Sequence, residues 1–205
     1  MPVLDPFFFA DIIGIIFFAL NGALVATRKQ LDLLGLFIAG NLTALGGGVI
    51  RDIILDRSPI SFTALYPSLT VLFTLLLFIY YRWHNHHEME KKFFFVLSDT
   101  IGLVAFSIAG SLLALDAEFN LFGVVVLAFI TAVGGGVIRD VMINEVPAIL
   151  ISDFYGSIAV VTALALYTCK ALDYLTPIAI IIVAIFTMTL RLLAYYRHWR
   201  LPSIY

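Results

Sequence analysis

Displaced by 88 positions, this sequence matches itself. Residues 11–59 lie on 99–147 without a gap and with 19 identities in 49 positions. The shared residues include all of Gly46-Gly47-Gly48-Val49-Ile50-Arg51-Asp52, which returns as Gly134-Gly135-Gly136-Val137-Ile138-Arg139-Asp140. Any fold for this chain must build one element twice. The solvent is set by composition: 62% of residues are hydrophobic and 13% are charged, where soluble domains carry about 25% charge. Apolar stretches reach about 20 residues, the length of helix that crosses ~30 Å of hydrocarbon. The sequence therefore predicts an all-α integral membrane protein.

Seven transmembrane helices are predicted, at 7–27, 33–55, 60–81, 93–115, 120–143, 147–168 and 174–194. Residues 1–82 make a first three-helix repeat, 83–92 a cytoplasmic linker and 93–169 a second repeat. Residues 170–205 make the seventh helix and a cytoplasmic C-terminal tail. The duplication is clear in the first two spans of each copy. The third spans share little beyond apolar character, with Tyr66 opposite Phe154, and the seventh has no counterpart. Three spans is an odd number, so the second copy enters from the opposite face, and the repeats are inverted about an axis in the membrane plane. With the N-terminus outside, Arg28, Lys29, Arg82, Lys91, Lys92, Arg191, Arg197 and Arg200 fall on the cytoplasmic side, against Arg57 and Lys170 outside. That bias places the C-terminus in the cytoplasm. No basic leader or cleavage site precedes the first apolar run, which is read as a retained span. The single cysteine, Cys169, permits no internal disulfide.

Each glycine triplet falls deep within its span. Three glycines in succession add backbone freedom and make the weakest helical point of either repeat. Two readings follow. In one, the helices break there, and freed carbonyls at opposed half-helix ends line a transport path. In the other, the glycines only let helices approach closely. The doubled motif, with an Arg-Asp pair after each triplet, favours the path, with Thr43, Gly46, Gly47, Gly48, Thr131, Gly134, Gly135 and Gly136 along it. Thr43 and Thr131 either add hydroxyl ligands or bond their own helix backbone. The triplets are not a nucleotide loop, which needs a Gly-Lys-Ser/Thr ending after a strand. Neither a nucleotide nor a nucleic-acid partner is expected.

Charge within lipid must be paired or face an interior. Arg51, Asp52, Arg139 and Asp140 are accordingly read as gating or field-setting groups, or as ion pairs that pin the helix, and the two roles are compatible. Asp11 and Asp99 match across the repeat and either cap helices or line vestibules. Asn21 and Asn41 face Ala109 and Phe129 in the second copy, so the path need not be chemically symmetric. Ala19, Gly22, Ala23 and Ala26, matched by Ser107, Gly110, Ser111 and Ala114, form a packing stripe. His84, His86, His87, Glu88 and Glu90 follow no standard ligand spacing and read as a solvated linker. Lys91, Lys92 and Arg82 nearby are expected to meet anionic membrane lipids. No nucleophile, base or catalytic carboxylate pair emerges, so no enzyme is expected.

With Gly-Gly-Gly-x-x-Arg-Asp on the second span of each copy, and a seventh span, the chain resembles the trimeric intracellular cation (TRIC) channel superfamily. It is most similar to the bacterial branch whose repeat is called a glycine-transporter domain. The resemblance spans residues 7–194. It implies a homotrimer in a bacterial-type inner membrane, with one potassium-permeable path per protomer bounded by the two glycine-broken spans. It implies no cofactor, and no metal beyond permeant potassium. Animal members carry a voltage-responsive basic residue within a span; here spans 1, 3, 4, 6 and 7 have no lysine or arginine in their central portions. A secondary transporter for glycine or another small amino acid is the alternative the same branch implies. A purely structural trimeric scaffold is the third reading.

Overall fold

Asp32 and Asn120 stand at equivalent places in the two copies, and each starts a helix in the same way. The Asp32 carboxylate accepts from the Gly35 amide at 2.7 Å, and the Asn120 carbonyl accepts from the Gly123 amide at 2.9 Å. Each satisfies one of the amides that a helix start leaves unbonded. The computed structural model describes residues 5–84, 91–151, 154–197 and 199. Their regular elements are all helices: α1 Pro6–Arg28, α2 Leu33–Ile54, α3 Ile60–Thr63, α4 Tyr66–His84, α5 Lys91–Asp116, α6 Leu121–Met142, α7 Ala148–Ile151, α8 Tyr155–Ala171 and α9 Pro177–Tyr196. Five of these are long and apolar enough to cross a membrane. His86, His87, Glu88 and Glu90 lie outside the described residues.

Helix ends repeat as the starts do. Gln30, Asp56, Glu118, Asn144 and Asp173 take positive φ of 53–58° just past α1, α2, α5, α6 and α8. In each case the following amide returns to a carbonyl five residues back, as Leu31 does to Ala26 and Phe119 to Ala114. This closes the last turn and satisfies carbonyls that would otherwise be bare.

Two expected spans are interrupted. The stretch at 60–81 divides into the single turn α3 and the helix α4, because Pro67 has no amide for a preceding turn and a helix can begin with it but not run through it. The stretch at 147–168 divides into α7 and α8, with Phe154 in the left-handed region at φ 57°.

The core is built where α1 and α5 cross. Each packs against its neighbours in the same pattern: α1 on α2 and α4, α5 on α6 and α8. The stripe Ala19, Gly22, Ala23, Ala26 and its counterpart Ser107, Gly110, Ser111, Ala114 are all buried, as the packing reading requires. Exposed large apolar residues concentrate on α4 and α9, such as Leu72, Phe73, Leu76, Ile181, Ile182 and Ile185. Only a lipid-like medium or another apolar surface suits such faces.

Candidate functional site

Where α2 meets α6, the glycine triplets touch, and neither helix breaks. Both run without interruption from Leu33 to Ile54 and from Leu121 to Met142, so the expected glycine-broken spans with freed carbonyls are not found. The reason lies in what the glycines contact. A β-carbon on Gly47 would sit 2.1 Å from the Thr131 carbonyl oxygen, and one on Gly135 would sit 2.3 Å from that of Thr43. A β-carbon on Gly46 would be 3.1 Å from the Gly135 α-carbon. The two backbones meet directly, which only glycine permits, and that contact offsets the helical cost of glycine.

The third glycine of each triplet behaves differently. A β-carbon on Gly48 would find nothing nearer than the Arg51 guanidinium at 3.6 Å, and on Gly136 nothing nearer than that of Arg139 at 3.8 Å. Gly46, Gly47, Gly134 and Gly135 therefore serve the crossing, while Gly48 and Gly136 keep room beside an arginine. Asp11, Ala44, Gly48, Arg51, Asp52 and Ser61 share a small cleft on the α2 side.

Arg51 and Asp52 do not point into lipid; both are 1% exposed. The Arg51 guanidinium donates to Asp11 at 2.9 Å and to Asp52 at 2.8 Å. Asp52 also accepts from Arg57 at 2.6 Å and from the Ile60 amide at 2.9 Å, so it holds the first turn of α3. The Tyr66 hydroxyl donates to Asp11 at 3.0 Å, and the Phe7 ring lies under Arg51 with 5.1 Å to its centroid. Two carboxylates balance two guanidiniums, which a low-dielectric setting demands. Asp11 thus ties α1, α2 and α4 together while lining the cleft.

The second copy keeps the parts and changes the wiring. Arg139 donates to Asp140 at 2.7 Å, and Asp140 accepts from the Ala148 amide at 2.9 Å, matching Asp52 and Ile60. Arg139 does not bond Asp99, however. Its remaining nitrogen donates to the Asn21 carbonyl oxygen at 2.7 Å and lies 3.4 Å from the Thr43 hydroxyl, both in the first copy. Asp99 instead accepts from the Tyr155 hydroxyl at 3.0 Å and pairs with Arg191 of α9 at 4.0 Å. Again two carboxylates face two guanidiniums. Asn21 is ten residues beyond Asp11 on α1, about 15 Å along the helix, so the two clusters are separated along the bundle.

The remaining polar residues bond close to home. Thr43 and Thr131 donate to Ala39 and Leu127 carbonyls at 2.6 Å each, and Asn41 donates to Phe37 at 2.8 Å. Both threonines thus bond their own helix backbone, and Thr43 also meets Arg139. Sequence reasoning did not find Tyr155, because the 88-residue register puts Phe154 opposite Tyr66 and the tyrosine is displaced by one. Arg57 and Arg191 read as loop or tail cations, yet Arg57 ties into the first cluster and Arg191 is buried in the second. Among the described residues, no three metal-ligating side chains gather.

Apolar helices enclosing acidic and basic side chains that are bonded to one another define an all-helical membrane protein with a polar interior. The glycine transporter family model matches residues 8–82 and 96–171. The UPF0126 membrane protein YvgT of Bacillus subtilis is 34% identical over 205 residues, covering 94% of each chain. A chain solved for the structural basis of conductance through TRIC cation channels superposes with a TM-score of 0.84 at 35% identity, covering 99% of this chain and 98% of that one. The TRIC trimeric intracellular cation channel orthologue from Rhodobacter sphaeroides gives 0.84 at 27% identity, covering 94% and 98%. The chain belongs to this glycine-transporter-domain family, as a bacterial member of the TRIC group.

Proposed function

We propose that the protein is a channel for monovalent cations, permeable to potassium, working as a homotrimer with one path through each protomer. The observation that carries this reading is the likeness, over nearly the full chain, to structures described as TRIC cation channels. Contacts within the chain support the inverted arrangement: Gly47 meets Thr131 as Gly135 meets Thr43, the exchange expected of a two-fold axis between the copies. Counting α4 and α8 with the five longer helices gives seven spans, with the N-terminus outside and the C-terminus in the cytoplasm of a bacterial inner membrane. α3 and α7 are then turns at opposite faces.

The path does not depend on opened helices. We place it alongside the α2–α6 crossing, past Gly48 and Gly136, between the cluster of Asp11, Arg51 and Asp52 and the cluster of Asp99, Arg139 and Asp140. The paired charges at each end leave no net charge to trap an ion, and Asn21, Thr43 and Thr131 offer neutral oxygens between them. No covalent chemistry is involved. Purified protein in planar bilayers is expected to pass potassium current in discrete unitary steps. Saturable glycine uptake into proteoliposomes without any such current would overturn the channel reading in favour of a transporter.

A further inference from the structure

The two clusters contain matching residues, yet only one closes within its own repeat. On the α2 side, Arg51 bonds the aspartate of its own copy, Asp11. On the α6 side, Arg139 leaves the equivalent Asp99 and crosses to Asn21 of the other copy. Two sequence differences accompany that change. Asn21 has Ala109 as its counterpart, which offers no side-chain acceptor, so Arg51 has nothing equivalent to reach. Arg191 lies on α9, which has no counterpart at all, and it brings a guanidinium to 4.0 Å from Asp99. Arg139 holds the place in this copy that Arg51 holds beside Asp11 in the other. Without Arg191, the nearby charge of Arg139 is the natural partner for this buried carboxylate, because an uncompensated ion there is costly.

We propose that Arg191 is a positioning residue: by supplying Asp99 with counter-charge, it leaves Arg139 to bridge the two repeats at Asn21. The non-repeated helix thereby makes the two ends of the molecule unequal. One end is tied within a repeat by Asp11 and Arg51. The other is held shut across the repeats by the Arg139–Asn21 bond, and that end yields first when the repeats move apart. The Tyr155 ring, 5.0 Å from the Arg191 guanidinium and hydroxyl-bonded to Asp99, fixes the geometry of the pair. The consequence for conduction rests on the channel reading above; the positioning itself does not.

The test is a cycle of variants read by thermal unfolding of the full-length protein in detergent. N21A removes the acceptor for Arg139 and is expected to lower Tm by on the order of 5 °C. In an R191L background that penalty should vanish, because Arg139 has already turned to Asp99. In R191L/D99N, where nothing draws Arg139 away, the penalty should return. A merely structural Arg191 would leave the N21A penalty the same in all three backgrounds, and that result overturns the proposal. Should R191L fail to fold, R191Q takes its place with the same expectation. Bilayer recordings add a separate arm, in which N21A and R191L each raise open probability several-fold and their combination raises it no further. Additive effects on open probability would sink the latch. A wild type that passes no current, with the thermal cycle intact, would fault the channel reading and leave the positioning standing.

Discussion

Phe18 and Phe106 meet edge to face at the centre of the bundle, with ring centroids 5.1 Å apart and planes at 81°. Each ring also covers a glycine of the other's helix. A β-carbon on Gly14 would lie 2.0 Å from the Phe106 ring, and one on Gly102 would lie 2.5 Å from the Phe18 ring. Phe18 and Phe106 are equivalent residues, as are Gly14 and Gly102, so the contact is its own image under exchange of the copies. The duplication visible as an 88-residue offset thus becomes a self-complementary joint between α1 and α5.

That joint predicts a specific rescue. G14A forces the buried Phe106 ring out of place and should destabilise the protein by about 2–3 kcal/mol, within the range for overpacking a tight core. F106L gives up ring area but clears the space. The double variant G14A/F106L should therefore be less destabilised than the sum of the single changes, by thermal unfolding in detergent. Strict additivity would mean that the ring does not rest on Gly14.

The triplets predict opposite signs within three consecutive residues. G47A drives a methyl group against the Thr131 carbonyl and should cost about 2–3 kcal/mol as α2 and α6 separate. G48A meets nothing closer than 3.6 Å and replaces glycine by the best helix former, so it should be neutral or stabilising by up to about 1 kcal/mol. G135A and G136A should repeat the contrast in the second copy. The comparison of Tm values across the four variants checks it.

Most of the fold could be read from the sequence, because length, apolarity and repetition each leave a direct trace. α2 and α6 start and stop within a residue of their expected spans, with Asp32 and Asn120 capping their starts. The fates of the triplets were not legible. Glycine signals both a weak helix and a close approach, and only the partner's position separates the two. Helix ends were equally obscure: Gln30 and Glu118 take left-handed conformations usually given to glycine, with no sequence mark. Each Arg-Asp pair bonds within itself, but the third partners come from elsewhere in the chain. Asn21 lies 118 positions from Arg139, and Arg191 lies outside the duplication, so no internal alignment could join them.

Those helix ends give a prediction about stability alone. Gln30 and Glu118 are exposed, at φ 55° and 56°, and a residue with a β-carbon is strained there by about 1 kcal/mol. Q30G and E118G should each raise Tm, by roughly 2–4 °C per kcal/mol for a chain of this size. The two changes lie in separate turns and should add. Lower Tm values would place the backbone of these turns elsewhere.

Asp52 and Asp140 are equivalent, but their loss should not be. D52N leaves Arg51 with Asp11, and Arg57, whose side chain is 33% exposed, can turn to water. D140N leaves Arg139, 4% exposed, with a neutral amide, Asn21 and an Asp99 already engaged by Arg191. An uncompensated buried charge costs about 3–5 kcal/mol, so D140N should destabilise several-fold more than D52N. Thermal unfolding of the two variants side by side decides it, and equal losses would refute the difference in wiring.

Conduction supplies the last prediction, through the two glycines that serve no crossing. If cations pass beside Gly48 and Gly136, a bulky apolar side chain there should obstruct them without prising the helices apart. G48L and G136L point their added atoms toward the space kept beside Arg51 and Arg139. Each should reduce unitary potassium current at least tenfold while leaving assembly unchanged by size-exclusion chromatography. The control is a position of the same helix that faces outward: Ile53, 63% exposed, changed to Leu should leave the current as it was. Full current through G48L and G136L would move the path away from the α2–α6 crossing. Loss of current in the Ile53 variant would instead point to a conformational effect spread over the whole helix. Obstruction at both glycines with normal assembly, and none at Ile53, is the pattern that a path along the third residue of each triplet requires.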